Sequence, residues 1–494
     1  MRPAILRSAL AAALSAALVM TAAACQPKSE GIVQVLVIGE TPKVADPQRG
    51  PLAADDAVLV NNVAQGLLRF DANGQVEPGL AETWNVSDDG LSYIFRLANG
   101  AWPNGKKITA EQVARMLRRL IASSSRNPLK DNFGAVDEIV AMTDRVIEIR
   151  LNQPRPHLLQ LLAQPEMGLV LEGQGTGPFA IDRSKSNEST LRLSREIETP
   201  DEEILDRERL GLGGATAEQA IRAFAAGKAD LVLGGTFVDL PLAQAAQIRR
   251  RALQFDPASG LFGLIPVRKD GLLATPEARQ LLSAAIDRDA LVAAFNVPGL
   301  VPRATVLEAG IENIPTPAPP QWSLTPLADR RPALVAQAAR IFTSEDPLVI
   351  KVALPEGRGS KIILDRLTQD WGAIGLRVER TNKGEQADLR LVDEVAASSS
   401  ASWFLRHFRC DNAAICDEEA DKLLQGARDT PVLAQRSALL VQASQRMDSQ
   451  TLFMPLAAPI RWSLVTPRIT GFAGNRFAIH TLTGLEDQLN RTGE

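Results

Sequence analysis

The segment 77–113, EPGLAETWNVSDDGLSYIFRLANGAWPNGKKITAEQV, constrains the fold of this 494-residue chain more than any other stretch. Trp84, Val86, Leu91, Tyr93, Phe95 and Leu97 supply the apolar and aromatic positions of two strands. Asp88, Asp89 and Gly90 supply the turn between them. Asn104-Gly105 is a second turn signal. Thr109 has the chemistry of a helix N-cap, and Gln112, three residues on, completes a capping box. The pattern predicts a hairpin followed by an amphipathic helix over residues 110–122.

The length is enough for two or three domains. A composition of 45% hydrophobic and 23% charged residues is that of a soluble globular protein. Net charge is −4 and basic residues are scattered, which argues against nucleic acid as the main partner. Aromatic residues total 4%, with Tyr93 the one tyrosine, which disfavours ligands held by stacking rings.

Residues 1–24 read as a targeting segment. Arg2 and Arg7 form a basic start, and the Ala-rich run 9–24 is too short for a comfortable membrane span. The run ends Thr21-Ala22-Ala23-Ala24-Cys25, which resembles the lipobox of bacterial lipoproteins. Lipidation at Cys25 is expected; the alternative is an ordinary secretory signal. The two remaining cysteines, Cys410 and Cys416, form an even pair in an exported chain and are expected to be disulfide-bonded rather than unrelated buried thiols. Closing so short a loop stabilises by about 2–2.5 kcal/mol on the chain-entropy model.

No catalytic constellation emerges. Gly100, Gly105 and Lys106 approximate a phosphate loop. Lys107 replaces the hydroxyl residue, Pro103 removes a donor, and no helix starts directly after the lysine, so a turn is expected. His157, His407 and His480 are far apart, with no zinc-type spacing, so neither a metal nor another cofactor is expected. No Gly-x-Ser-x-Gly elbow is present. Asp88-Asp89 reads as a turn element, and the acidic runs 201–203 and 417–419 as solvated faces.

The segment 77–113 also resembles the signature of the bacterial extracellular solute-binding proteins of family 5, the oligopeptide-, dipeptide- and nickel-binding proteins of ABC importers. Pro78, Leu80, Ala81, Trp84, Val86, Ser87, Asp89, Gly90, Tyr93, Phe95, Leu97, Gly105, Thr109, Ala110 and Val113 carry the match. Trp102 stands where the family has phenylalanine, and Gln112 where it has aspartate. Gly175-Thr176-Gly177-Pro178-Phe179 matches a further turn. Arg279, Ala284, Ala285, Ile286, Asp287 and Arg288 match a second signature. The resemblance runs from about Val33 to Phe472. It implies an α/β fold of the two-lobed periplasmic-binding-protein type II, with an extra subdomain inserted in the first lobe. The expected division is residues 1–24 leader, 25–55 linker and first strand, 56–171 inserted subdomain, 172–259 first lobe continued, 260–467 second lobe, and 468–494 return to the first lobe.

The resemblance further implies a monomeric, non-enzymatic binding protein. Its lobes close over a peptide or similar small solute, and the closed form is read by an ABC permease. In peptide-binding relatives an aspartate in a W-x-x-D-x-x-D-P segment pairs with the ligand's amino terminus. Here that stretch is altered: the tryptophan position falls near Asp393 or Glu394, and the aspartate position near Ala397 or Ser398. Asp393, Glu394 and Trp403 are the candidate ligand contacts; the alternative for the two acids is ordinary loop residues. The aromatic R-N-x-x-Y-W string is also missing at Ser194-Arg195. Two other readings remain: a tethered receptor that keeps the fold without transport, and an exported hydrolase.

Overall fold

The computed structural model describes residues 32–197, 206–311, 314–343, 348–382 and 384–487. The leader and Cys25 lie outside the described residues. Val33–Ile38, an alternating apolar strand, buries Val33, Val35 and Val37 on one face. It runs parallel to Asp206–Ala215 on one side and Leu231–Thr236 on the other, inside a seven-stranded sheet. Helix Ala217–Ala225 makes the return that parallel strands require. Thr216 and Gln219 cap it reciprocally, each side chain meeting the other residue's backbone N–H.

A second, five-stranded sheet has the order Arg377–Thr381, Val349–Ala353, Leu389–Val395, Gly260–Pro266, Met454–Ala457. The chain passes between the two sheets twice, at 256–259 and 458–460. The expected second unit, 260–467, contains Arg461–Val465, yet that strand pairs with Leu231–Thr236 in the first sheet. The return is earlier than expected: the chain leaves the five-stranded sheet directly after Met454–Ala457. At the other crossing Gly260 has φ 155°, and a Cβ there would lie 2.0 Å from the Glu394 carbonyl oxygen. Phe237, Phe262 and Phe295 meet edge to face across this junction, so one core joins the two sheets.

The third unit is the antiparallel sheet Ala81–Val86, Ser92–Leu97, Val146–Leu151, Val136–Thr143, covered by helix Ala110–Ile121. Tyr93, Phe95 and Leu97 are buried under Val113, Ala114 and Leu117, as the alternation and the helical spacing dictate. Thr109 caps the helix by accepting from the Gln112 N–H at 3.3 Å. The expected reciprocal bond is replaced: Gln112 Oε1 accepts from the Trp102 indole at 2.7 Å. A buried indole needs an acceptor that phenylalanine would not. Apolar residues keep a helical spacing over residues 55–68, but the helix ends before that spacing does. The helix is Ala54–Val63, and Leu68–Phe70 pairs as a strand with Val76–Pro78. Strand pairing overrides local periodicity there.

The second signature proves to be scaffold. Arg279, 2% exposed, donates to the carbonyls of Leu273, Ala274, Gln450 and Thr451. Arg288 donates to the carbonyls of Pro455 and Ser283 and to the Ser283 hydroxyl. Asp287 caps helix Arg288–Phe295 through the Ala290 N–H, and its own N–H is held by Asp370. Two helices, Pro276–Ala285 and Arg288–Phe295, are thereby fixed to the strand Met454–Ala457 and its approach.

Candidate functional site

A cavity of about 700 Å³ opens between the inserted antiparallel unit and the second lobe. One wall is made by the end of helix Ala110–Ile121, the loop after it, and the turn Arg155–Leu158. The other is built on strands Gly260–Pro266 and Leu389–Val395, helix Ala401–Leu405 and helices Glu418–Asp429 and Leu433–Ser449. Along Leu389–Val395 the strand period of two decides what faces the cavity. Arg390, Val392 and Glu394 line it. Leu389 and Leu391 point the other way, into the core shared with the first lobe.

That alternation separates two of the expected ligand contacts. Glu394 lines the cavity. Asp393, its neighbour, is on the opposite face, where Arg461 Nη1 donates to its two carboxylate oxygens at 2.8 and 3.0 Å. Arg461 opens a strand of the seven-stranded sheet and Asp393 lies in the five-stranded one, so this ion pair ties the sheets together. Trp403 lines the cavity and is almost fully buried. Its ring meets Phe404 at 5.1 Å and His407 at 4.8 Å. Cys410 and Cys416 are bonded, with Cα atoms 5.0 Å apart, and the loop they close carries the lining residues Asp411 and Asn412.

The lining is strongly cationic. Lys130, Arg155, Arg390, Arg406, Arg409, Arg428 and Arg436 stand against Asp131, Glu394 and Asp411. Lys130 is engaged by the carbonyls of Ser123 and Ser125, and Arg409 by Asp411. Among the described residues Arg155 donates only to neutral carbonyls, those of Pro154 and Arg428, each at 2.9 Å. Arg436 donates to the Ser402 hydroxyl at 2.8 Å. Burial, then Arg436 and Arg428, pull the Arg155 guanidinium down to about 10. Burial, then Arg436, push His157 down to about 4. Burial, then Arg406 and Arg390, push His407 down to about 3. Both imidazoles are therefore neutral at pH 7, and the 3.7 Å approach of His407 Nδ1 to Glu394 is a dipolar contact, not an ion pair. Burial raises the Glu394 carboxyl, with Arg406 and Arg390 acting against it.

Direct hydrogen bonds cross the cavity's edge. Gln164 donates to the Ala397 carbonyl, the Ser399 N–H donates to Gln160 at 2.9 Å, and Arg155 reaches the Arg428 carbonyl. Tyr93, in the opening hairpin, donates its hydroxyl to the Arg155 carbonyl at 3.0 Å. Gly100–Lys106 is a tight turn, with the Trp102 N–H on the Lys106 carbonyl and Gly105 at φ 81°. Among the described residues no three His, Cys, Asp or Glu side chains group as for a metal ion.

A family model described as bacterial extracellular solute-binding proteins, family 5 Middle, matches residues 75–406. The chain belongs to that family. Its role is that of a solute-binding protein. A di/tripeptide-binding protein of Pseudomonas aeruginosa is 23% identical to it, over 96% of this chain and 98% of the relative. Among solved structures, the murein tripeptide binding protein MppA of Escherichia coli is 16% identical with a TM-score of 0.79, covering 93% of this chain and 99% of that one. Haemophilus influenzae OppA in complex with RPPGFSPFR gives 0.78, at 16% identity and the same coverage. The fold is thus the type II periplasmic-binding-protein fold, α/β and two-lobed, with the extra unit inserted in the first lobe. The arginines of the cavity escaped sequence reasoning. Strand alternation could have separated Arg390 and Glu394 from Asp393; no local signal marks Arg155, Arg406, Arg428 or Arg436.

Proposed function

We propose that this chain is the solute-capturing component of an ABC importer, taking peptides or similar small solutes into the cavity and presenting the closed form to a membrane permease. The observation that carries the reading is the cavity itself. Its volume lies in the range of about 300–1,000 Å³ typical of small-molecule sites. Its two walls come from different units, so a ligand touching both would favour closure. Glu394 and Trp403 are proposed contacts; Asp393 serves instead to join the sheets. The di/tripeptide-binding relative supports peptides as the leading class. A leader ending at Ala24 and lipid on Cys25 would tether the exported protein to a membrane facing the periplasm or cell exterior.

Native mass spectrometry of the purified protein tests the ligand reading: a co-purifying peptide or small solute is expected, and a cleft that stays empty with every peptide offered would overturn it. Fractionation of a Cys25→Ala variant tests the anchor. The variant should move from the membrane to the soluble fraction, and unchanged partition would exclude lipidation at that residue.

A further inference from the structure

We infer that the cavity selects solutes carrying two or more acid groups, with an acidic di- or tripeptide as the fitting form. The inference rests on the solute-capture reading and adds the charge of the solute. Its basis is an excess of cationic over anionic side chains in the lining. Among the described residues Arg390, Arg406 and Arg428 have no ion pair or side-chain hydrogen bond, and Arg155 binds only carbonyl oxygens. Like charges held together in a partly desolvated site repel, and a fold that needed only packing there would use apolar residues. Planar guanidinium forks match carboxylates in shape, two parallel bonds to each.

The acceptors for a cationic ligand are few. Asp393, the carboxylate that an amino terminus would seek, is on the far face of its strand and bound to Arg461. Glu394 remains, with Arg406 and Arg390 in its field. His407 stays neutral and adds no charge of either sign; its Nε2 atom is buried with no hydrogen-bond partner among the described residues. Ser400 and Ser402 add neutral hydroxyls along the same wall.

Calorimetric titration of the full chain with tri-glutamate, tri-alanine, tri-lysine and a small organic tricarboxylate tests the idea. Tri-glutamate is expected to bind at least about tenfold more tightly than tri-alanine. Tri-lysine should not bind detectably, and raising salt from about 0.05 to about 0.5 M should weaken tri-glutamate binding. Binding of the tricarboxylate without tri-glutamate would support the acid chemistry and overturn the peptide form. Equal affinity for tri-alanine and tri-glutamate would overturn the charge inference and leave solute capture standing. No binding of any probe would count against both. Arg390→Gln and Arg406→Gln should each lower tri-glutamate affinity several-fold. Arg390 is exposed, so a normal melting curve is expected for its variant, and an unchanged affinity in that folded variant would overturn the assignment.

Discussion

Two sets of arginines in this protein have opposite surroundings. Arg279 and Arg288 are buried, and their hydrogen bonds to backbone carbonyls hold two helices against Met454–Ala457 and its approach. Arg390, Arg406 and Arg428 line a cavity without an ion pair among the described residues. The first set is satisfied by its own chain and is scaffold. The second is left for something that the chain does not supply. The difference shows that counting a residue's donors and their acceptors separates structure from function where residue type alone does not.

The comparison breaks most sharply at Arg279. Its replacement by alanine leaves several carbonyls without their donor and should cost about 3 kcal/mol or more of stability, read by denaturant unfolding. Ligand affinity of the folded fraction should not change. The opposite pattern is expected for Arg406→Gln. Relief of its desolvation should hold stability within about 1 kcal/mol of the parent, while calorimetry shows affinity for an acidic peptide falling several-fold. A large loss of stability in Arg406→Gln would place that residue with the scaffold.

Asp393 and Glu394 sharpen the contrast within one strand. Asp393→Asn weakens the pair with Arg461 and should cost about 1–3 kcal/mol, with affinity for an acidic peptide held within about twofold. Glu394→Gln removes a like charge from the cavity and should raise that affinity. If both variants altered binding equally, the separation of the two faces would be wrong.

The smallest expected effects are with pH. His157 and His407 have folded values of about 4 and about 3, below the 6.5 of an unfolded chain. The unfolded state then binds more protons in that interval, so these groups lower stability as pH falls from about 6.5 toward 4. Asp448 works in the opposite sense. Its carboxyl, buried against the Val306 N–H, is pushed up to about 7 from 3.8, so the folded state binds the extra proton and gains stability as pH falls through 7. Asp448→Asn should remove that gain and leave the histidine-driven loss exposed in melting curves across this range. Ligand affinity should stay flat between about pH 6.5 and 8, because neither imidazole changes charge there.

The fold was legible because its determinants are local. The hairpin 77–97, the cap at Thr109 and the Arg279–Arg288 string each pack a turn, a cap or a buried donor set into a few consecutive residues. The early return after Ala457 was not legible: Pro455 sits inside the edge strand and Pro459 just beyond it, so proline alone does not mark where the strand ends. The cavity was much less legible. Arg155 and Arg428 are 273 positions apart and meet only through the tertiary fold. Gln112 shows the middle case: its position in the capping pattern was plain, but its side chain went to an indole that only packing brings near.

The bond from the Tyr93 hydroxyl to the Arg155 carbonyl turns the chain's sole tyrosine into a reporter. Isotope labelling of tyrosine alone would give a single phenol signal in a protein of 494 residues, with no assignment to make. That signal comes from a hydroxyl bonded to the backbone carbonyl of a cavity arginine. A solute drawing on Arg155 would register there without any label being introduced into the cleft.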